Sequence, residues 1–318
     1  MKFLFILDAL DSLKSYKDTS IAIMREAAKR GHSLYLCQQH DVFLRNQFVK
    51  VNTCTFSFTN NDNWYELGES QEVLPSEFSA VLMRKDPPFD NEYLYSTYLL
   101  ELASNQGARI INNPSAIRGW NEKLSVAKFP QFAPEFLVTA NENLIRTFLA
   151  EHKDIIVKPL DGMGGTGIFR LTETDPNIGA ILETSTNFGA QTIMAQRYLP
   201  AILQGDKRII VINGEPLPYA LARIPKVGET RGNLAAGGTG VAQLLTQRDI
   251  EIATTVGKVL KENGLFLVGL DVIGDHLTEI NVTSPTGMVE IAAQTQNSNL
   301  PCNPAEILMV ALEGICQP

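Results

Sequence analysis

The chain lacks three things, and each absence removes a class of function. Its four cysteines (Cys37, Cys54, Cys302 and Cys316) are scattered and form no C-x-x-C pair. That excludes a disulfide framework and a thiolate zinc site, and points to free thiols in a reducing compartment. There is no long apolar run: Met1-Lys2 is followed by five apolar residues before Asp8. Five are too few for a signal-peptide core or a membrane span, so no membrane partner is expected and the cytoplasm is the expected location. Nor is there an excess of positive charge. A formal net charge of −8 argues against a nucleic-acid partner but permits an anionic ligand. Surface charges more than about 8 Å apart are screened at physiological salt, so a local cation cluster outweighs the global sign. The four histidines (His32, His40, His152 and His276) form no base dyad or metal cluster, and no serine or cysteine sits in a nucleophile setting.

What is present is glycine in telling places. An apolar run, Ile155-Ile156-Val157, delivers Lys158 into a loop holding Gly162, Gly164, Gly165 and Gly167, and Ile168-Phe169-Arg170-Leu171 reads as another strand. Glycines let backbone N–H groups approach phosphate oxygens, and Lys158 adds a point charge at the loop's base. Gly162, Gly164 and Gly167 satisfy G-x-G-x-x-G, but that dinucleotide fingerprint needs a helix after the glycines. The residues after Gly167 are β-branched and aromatic instead. A Walker A loop fails because Ile168 stands where lysine is required. A flap folded over ATP and an ordinary glycine hairpin both fit.

Length suggests about two domains. In the first ~120 residues short apolar runs (Phe3–Leu7, Leu34–Cys37, Ala80–Met83, Arg109–Ile111) alternate with helical patterns, one beginning near Asp18 and ending at Gly31, another over Asn91–Asn105. Such alternation predicts an open α/β unit with a mainly parallel sheet, whose ligands bind beyond the carboxyl ends of strands. Arg84-Lys85-Asp86-Pro87-Pro88-Phe89-Asp90 stands at such an end, either as a rigid connection or as a binding segment.

Later in the chain Leu267–Ile273 and Leu277–Val282 flank Gly274-Asp275-His276. If those three residues form a hairpin loop, Asp271 lies across from Glu279, and Asn281 shares their face by the two-residue period. Like charges directly opposite destabilise a hairpin, and an oxygen-loving divalent cation would relieve them. The alternative is a hairpin with both carboxylates in water. Ile224–Gly240, with five glycines, is too long for an ordinary connector and reads as a lid, with disorder without function as the alternative. Arg208 and Arg223 fall on adjacent strands joined by an Asn213-Gly214 turn, where guanidinium forks suit phosphate.

Lys158–Gly165, Arg231-Gly232-Asn233-Leu234-Ala235-Ala236-Gly237-Gly238, Glu279–Thr286 and Met83–Asp90 resemble, in this combination, the bacterial glutathione synthetases of the ATP-grasp superfamily. The likeness spans nearly the whole chain. It implies an N-terminal open parallel-sheet α/β (pre-ATP-grasp) domain at 1–120, a central lid subdomain at 121–200 and a C-terminal α+β subdomain at 201–318 with a flexible loop at 224–240. It also implies ATP-dependent joining of γ-glutamylcysteine to glycine. By position, Lys123 and Lys158 with Gly162, Gly164, Gly165 and Gly167 would hold the ATP phosphates. Gln196, Arg197, Tyr198 and Leu199 would meet adenine, and Asp206 would approach the ribose. Asp271, Glu279 and Asn281 would bind Mg²⁺, or Mn²⁺ in its place. Arg208, Arg223 and Arg231 would stabilise charge in transfer. Arg84, Lys85, Asp86, Ser284, Pro285 and Thr286 would bind substrate, and a homotetramer is implied. Thr239 and Val289 stand where close relatives would carry a basic residue and an arginine. Competing readings are another ATP-grasp ligase with a different acceptor or donor, an ATP-binding regulator without turnover, and a nicotinamide dehydrogenase.

Overall fold

The computed structural model describes residues 1–60, 63–229, 231–234 and 237–317. The first sheet comprises β1 (Lys2–Leu7), β2 (Ser33–Gln38), β3 (Val42–Arg45), β4 (Phe48–Phe58), β5 (Tyr65–Val73), β6 (Ala80–Met83) and β7 (Ile110–Ile111), with α1 (Thr19–Lys29), α2 (Asn91–Asn105) and α3 (Pro114–Gly119) between them. β1 lies between β2 and β6, and β6 pairs with β7, all in parallel. Phe3 to Leu7 are almost wholly buried, as a strand covered on both faces must be. The Asp18 side chain caps α1 by accepting from the Ile21 N–H at 2.9 Å.

The expectation of a mainly parallel sheet holds only in part. β4 pairs antiparallel with β2, β3 and β5, so the sheet is mixed. β5 was not visible as a strand because it is almost entirely exposed and its Tyr-Glu-Leu-Gly-Glu-Ser-Gln-Glu-Val sequence carries no apolar alternation. β4, by contrast, alternates buried and more exposed residues, a pattern that sequence reasoning missed.

The second sheet comprises β8 (Phe136–Thr139), β9 (Asp154–Pro159), β10 (Phe169–Thr172) and β11 (Ile193–Arg197), ordered β10-β9-β11-β8, with α4 (Glu142–His152) and α5 (Ile178–Ser185). Its pairings are antiparallel, so the glycine loop joins two antiparallel strands as expected. Ile145, Leu149, Ile155, Val157, Leu171, Leu182, Ile193 and Ala195 form a small core of its own.

The third sheet comprises β12 (Asp206–Ile212), β13 (Glu215–Ile224), β14 (Thr239–Leu244), β15 (Leu267–Ile273) and β16 (His276–Asn281), ordered β14-β13-β12-β15-β16, with α6 (Gln247–Glu262), α7 (Met288–Thr295) and α8 (Pro304–Cys316). Asn213 and Gly214 both have positive φ, which the two-residue β12–β13 turn requires. The long loop leaves β13 at Ile224 and returns at its cross-strand partner Thr239, so Thr239 and Gly240 belong to β14. Of the expected lid, Thr230, Ala235 and Ala236 lie outside the described residues.

Asn112 bolts the first sheet to the third. Its amide nitrogen donates to the carbonyls of Leu267 and Val282, both at 2.8 Å, and its oxygen accepts from the N–H groups of Phe266 and Leu267. Ile6 and Val81 share a buried cluster with Ile209, Val211 and Val268. Among the described residues no helix is long and apolar enough to cross a membrane.

Candidate active site

A cavity of about 750 Å³ is lined by residues of the second and third sheets and by loops of the first. Strand alternation decides which side chains reach it. On β9, Ile155 and Val157 enter the small core while Ile156 and Lys158 line the cavity; on β11, Ile193 and Ala195 go in and Gln196 lines it. On the third sheet the cavity takes Asp206 and Arg208 of β12, Leu221 and Arg223 of β13, Asp271 and Ile273 of β15, and Glu279 and Asn281 of β16.

Register then sets the charges in rows. Arg208 lies opposite Asp271, which lies opposite Glu279; Asp206 lies opposite Arg223. Arg208 grips Asp271 with both prongs of its fork, Nη2 at 2.9 Å from Oδ2, and Arg223 Nη2 reaches the same Oδ2 at 2.8 Å. Arg223 also pairs with Asp206 Oδ2. Burial disfavours the charged form of Asp271, yet Arg208 and Arg223 hold its carboxyl well below the usual carboxylate range. For Asp206 burial wins over Arg223 and pushes the carboxyl up to about 7, and its Oδ1 is buried without a hydrogen-bond partner.

Lys158 Nζ lies 3.5 Å from Glu279 Oε1, and Lys123 Nζ lies 3.9 Å from the same oxygen. Burial pushes the Lys158 ammonium pKa down, opposed by Glu279. Lys123 also donates to the Gly162 carbonyl at 2.7 Å and so holds the glycine loop. Gly164, Gly165 and Gly167 of that loop have φ of +63°, +85° and +72°. A Cβ on Gly165 would stand 2.8 Å from Asn233 Oδ1, and Arg231 Nη1 donates to the Gly165 carbonyl at 3.3 Å. The glycine loop and the 224–240 loop are therefore in contact.

The structure gathers most of the expected residues around this cavity: Lys123, Lys158, Gly162, Gly164, Gly165, Gln196, Arg197, Tyr198, Leu199, Asp206, Arg208, Arg223, Arg231, Asp271, Glu279, Asn281, Asp86, Ser284 and Thr286. Gly167, Arg84, Lys85 and Pro285 are not part of the lining. Arg84 is buried behind the wall, donating to Ser20 Oγ at 3.0 Å and to the Pro285 carbonyl at 2.9 Å, which braces the Ser284–Thr286 turn. Lys85 pairs with Asp8 at 2.8 Å. Neither Thr239 nor Val289 lines the cavity.

Sequence reasoning missed Glu122, Asn233 and Glu290, which also line it. Glu122 Oε1 accepts from the N–H groups of Val282 and Thr283 and from Thr283 Oγ1 at 3.0, 3.2 and 2.8 Å. It thereby ties the segment carrying Lys123 to the exit of the strand carrying Glu279. Its position beside Lys123 was the one available signal. The expected oxygen trio is also there, with the amide nitrogen of Asn281 donating to the Gly269 carbonyl at 3.2 Å. Among the described residues no three His, Cys, Asp or Glu side chains gather into a metal cluster.

Residues 1–118 match the prokaryotic glutathione synthetase N-terminal domain, and residues 122–296 match the prokaryotic glutathione synthetase ATP-grasp domain. The chain is 59% identical over 317 residues to the glutathione synthetase of Nitrosomonas europaea, covering 98% of each chain. It is 50% identical over 315 residues to that of Salmonella typhimurium, covering 99% of this chain and 98% of the relative. Among solved structures, a D-cycloserine synthetase superposes with a TM-score of 0.66 at 15% identity, covering 99% of this chain and 100% of that one. At that identity the likeness speaks for the fold alone.

Proposed function

The chain belongs to the prokaryotic glutathione synthetase family, and from that premise we propose how its cavity performs the ligation. The reaction is ATP-dependent joining of γ-glutamylcysteine to glycine, giving glutathione, ADP and phosphate. A carboxylate is a poor electrophile. The cysteinyl carboxylate therefore attacks the γ-phosphorus of ATP, ADP leaves, and an acyl phosphate forms. Glycine's free amine then attacks the acyl carbon and expels phosphate. Because an anion attacks an anion in the first step, the protein's task is to place the reactants and offset charge.

In this reading Lys123 and Lys158 hold the phosphates under the Gly162–Gly167 flap. Gln196, Arg197, Tyr198 and Leu199 meet the adenine, and the buried, unpartnered Nε2 of Gln196 supports that assignment. Asp206 accepts from a ribose hydroxyl through its unpartnered Oδ1. Arg208, Arg223 and Arg231 face the transferred group. Asp86, Ser284 and Thr286 contact the dipeptide, with Arg84, Lys85 and Pro285 fixing their backbone from behind.

Asp271, whose two oxygens lie on Arg208 and Arg223, would join Glu279 and Asn281 by giving up one of those contacts. Their oxygens suit a hard divalent cation, Mg²⁺ or Mn²⁺. When bound, it offsets the repulsion between carboxylate and γ-phosphate. Division into domains at 1–120, 121–200 and 201–318 is supported by one sheet in each range. A homotetramer rests on the family resemblance, and a cytoplasmic location on the four free cysteines, which suit a reducing compartment.

The observation that carries the assignment is the meeting of Lys123, Lys158 and the glycine flap with the Arg208–Asp271–Glu279 row in one cavity. Phosphate release from Mg·ATP, with γ-glutamylcysteine and glycine omitted in turn, tests it. Release that needs all components, with glutathione formed in step, is expected. Release with another amine in place of glycine would move the acceptor.

A further inference from the structure

We propose that Glu290 holds a substrate ammonium group in the cavity, an inference that rests on the ligase reading above. Both amine substrates bring a positive charge: γ-glutamylcysteine carries an α-ammonium, and glycine is a zwitterion near neutral pH. They enter a cavity whose walls already present Lys123, Lys158, Arg208, Arg223 and Arg231. A cation is bound there only where an anion is left to receive it.

Most of the cavity's carboxylates are committed. Both oxygens of Asp271 lie on guanidiniums, and Glu279 faces Lys158. Glu122 accepts three hydrogen bonds on one oxygen, and Asp18 caps α1. Asp206 keeps one free oxygen beside Arg223, but the nucleotide reading uses it, and Asp86, which also lines the cavity, is hydrogen-bonded with Ser284. Glu290 differs. It lines the cavity from the first turn of α7, and its Oε2 is shielded from solvent with no hydrogen-bond partner.

A buried acceptor left unmatched costs stability, and a ligand donor that fills it recovers that cost on binding. The neighbour Val289 is apolar and supplies no counter-charge from the same helical turn. Thr286 and Gly287, just before α7, line the same cavity, as does Leu234 of the 224–240 loop. Glu290 is thus a specificity-determining residue that closely follows the Ser284–Thr286 segment in the chain.

The test is steady-state kinetics of wild type, Glu290→Gln and Glu290→Asp at saturating Mg·ATP, with glycine and γ-glutamylcysteine varied in turn. Loss of a charge-assisted hydrogen bond should raise KM for one amine substrate by roughly ten- to a hundredfold in Glu290→Gln. The KM for ATP and the melting midpoint should stay at wild-type values, and Glu290→Asp should recover part of the loss. A shift confined to glycine assigns the acceptor amine; one confined to the dipeptide assigns its α-ammonium. Both KM values within about twofold of wild type would overturn the proposal. So would an ATP KM that rises along with them, because that marks a structural role. If Glu290→Gln fails to fold, Glu290→Asp decides by the same criteria. A wild-type chain that releases no phosphate with both amines present sinks the ligase reading and this inference with it. An active wild type with an unmoved Glu290→Gln sinks this inference alone.

Discussion

Asp271 faces Glu279 across β15 and β16 although the turn between them is one residue too short to bring them opposite. Only Gly274 and Asp275 form the turn, which alone would set Asp271 against Thr278. A β-bulge next to Asp271 takes up Thr278, whose Oγ1 donates to the Asp271 carbonyl at 3.1 Å, and the register moves on by one residue. The bulge is therefore what places the second carboxylate on the cavity face. Glu279→Gln should leave the fold intact, raise the Mg²⁺ concentration needed for half-maximal phosphate release, and lower kcat/KM by roughly two to three orders of magnitude. A magnesium titration of the variant checks this. An unchanged requirement would remove Glu279 from the proposed cation set.

Asp271 has a second task that its neighbour lacks. It neutralises two buried guanidiniums, Arg208 and Arg223, that are only 7% and 6% exposed. Asp271→Asn keeps the shape but leaves them sharing only Asp206 and Glu279. Breaking a buried ion pair by removing one partner typically costs about 3–5 kcal/mol, and urea unfolding should show a loss of that size. A loss below about 1 kcal/mol, the usual worth of an exposed pair, would mean that water reaches the cluster.

The sequence carried much of this site for physical reasons that can be named. Asn281 was legible because strand alternation is a strict two-residue period, Lys158 because an apolar run ends on it just before the glycines, and Asn91–Asn105 because Gly107 stands just beyond its helical pattern. The Asp271–Glu279 pairing followed for an incomplete reason: an expected three-residue loop and the observed two-residue turn plus bulge give the same net register. Other features were beyond local pattern. Arg84 donates to Pro285, 201 residues away, and nothing in either segment announces that contact. β5 hid because an exposed polar strand has no alternation, and Glu122 because a single acid beside a lysine usually means a solvated surface.

The glycine loop and the proposed lid meet at Gly165, where two effects can be separated. At φ +85° any side chain is strained, and a Cβ would also meet Asn233 Oδ1 at 2.8 Å and Arg231 Cδ at 3.2 Å. Gly165→Ala should therefore cost about 1 kcal/mol of local backbone strain and also hold the lid away from the flap. Activity should fall by roughly ten- to a hundredfold, as is usual when a closing element is misplaced. Adding Asn233→Ala removes the collision but not the strain, so the double variant should regain part of the lost activity. A double variant no better than Gly165→Ala would show that the backbone conformation alone requires the glycine.

Asp206 gives the site an opposite pH dependence in binding and in stability. Burial raises its carboxyl to about 7 against the pull of Arg223, whereas an unfolded aspartate titrates near ~3.9. The folded state therefore holds a proton that the unfolded state has lost between those values. The stabilisation from that proton is complete below the unfolded pKa and is lost as pH rises through about 7. Asp206→Asn carries no titrating group and should be more stable relative to wild type at pH 8 than at pH 5, by thermal melting in matched buffers. Nucleotide binding should run the other way. The oxygen proposed to accept from the ribose is fully ionised only above the raised pKa, so the wild-type KM for ATP should fall from pH 6 to pH 8. In Asp206→Asn it should be higher and nearly flat over the same range. A wild-type KM for ATP that does not change between those pH values would remove Asp206 from the nucleotide site, even if the stability difference appears as expected.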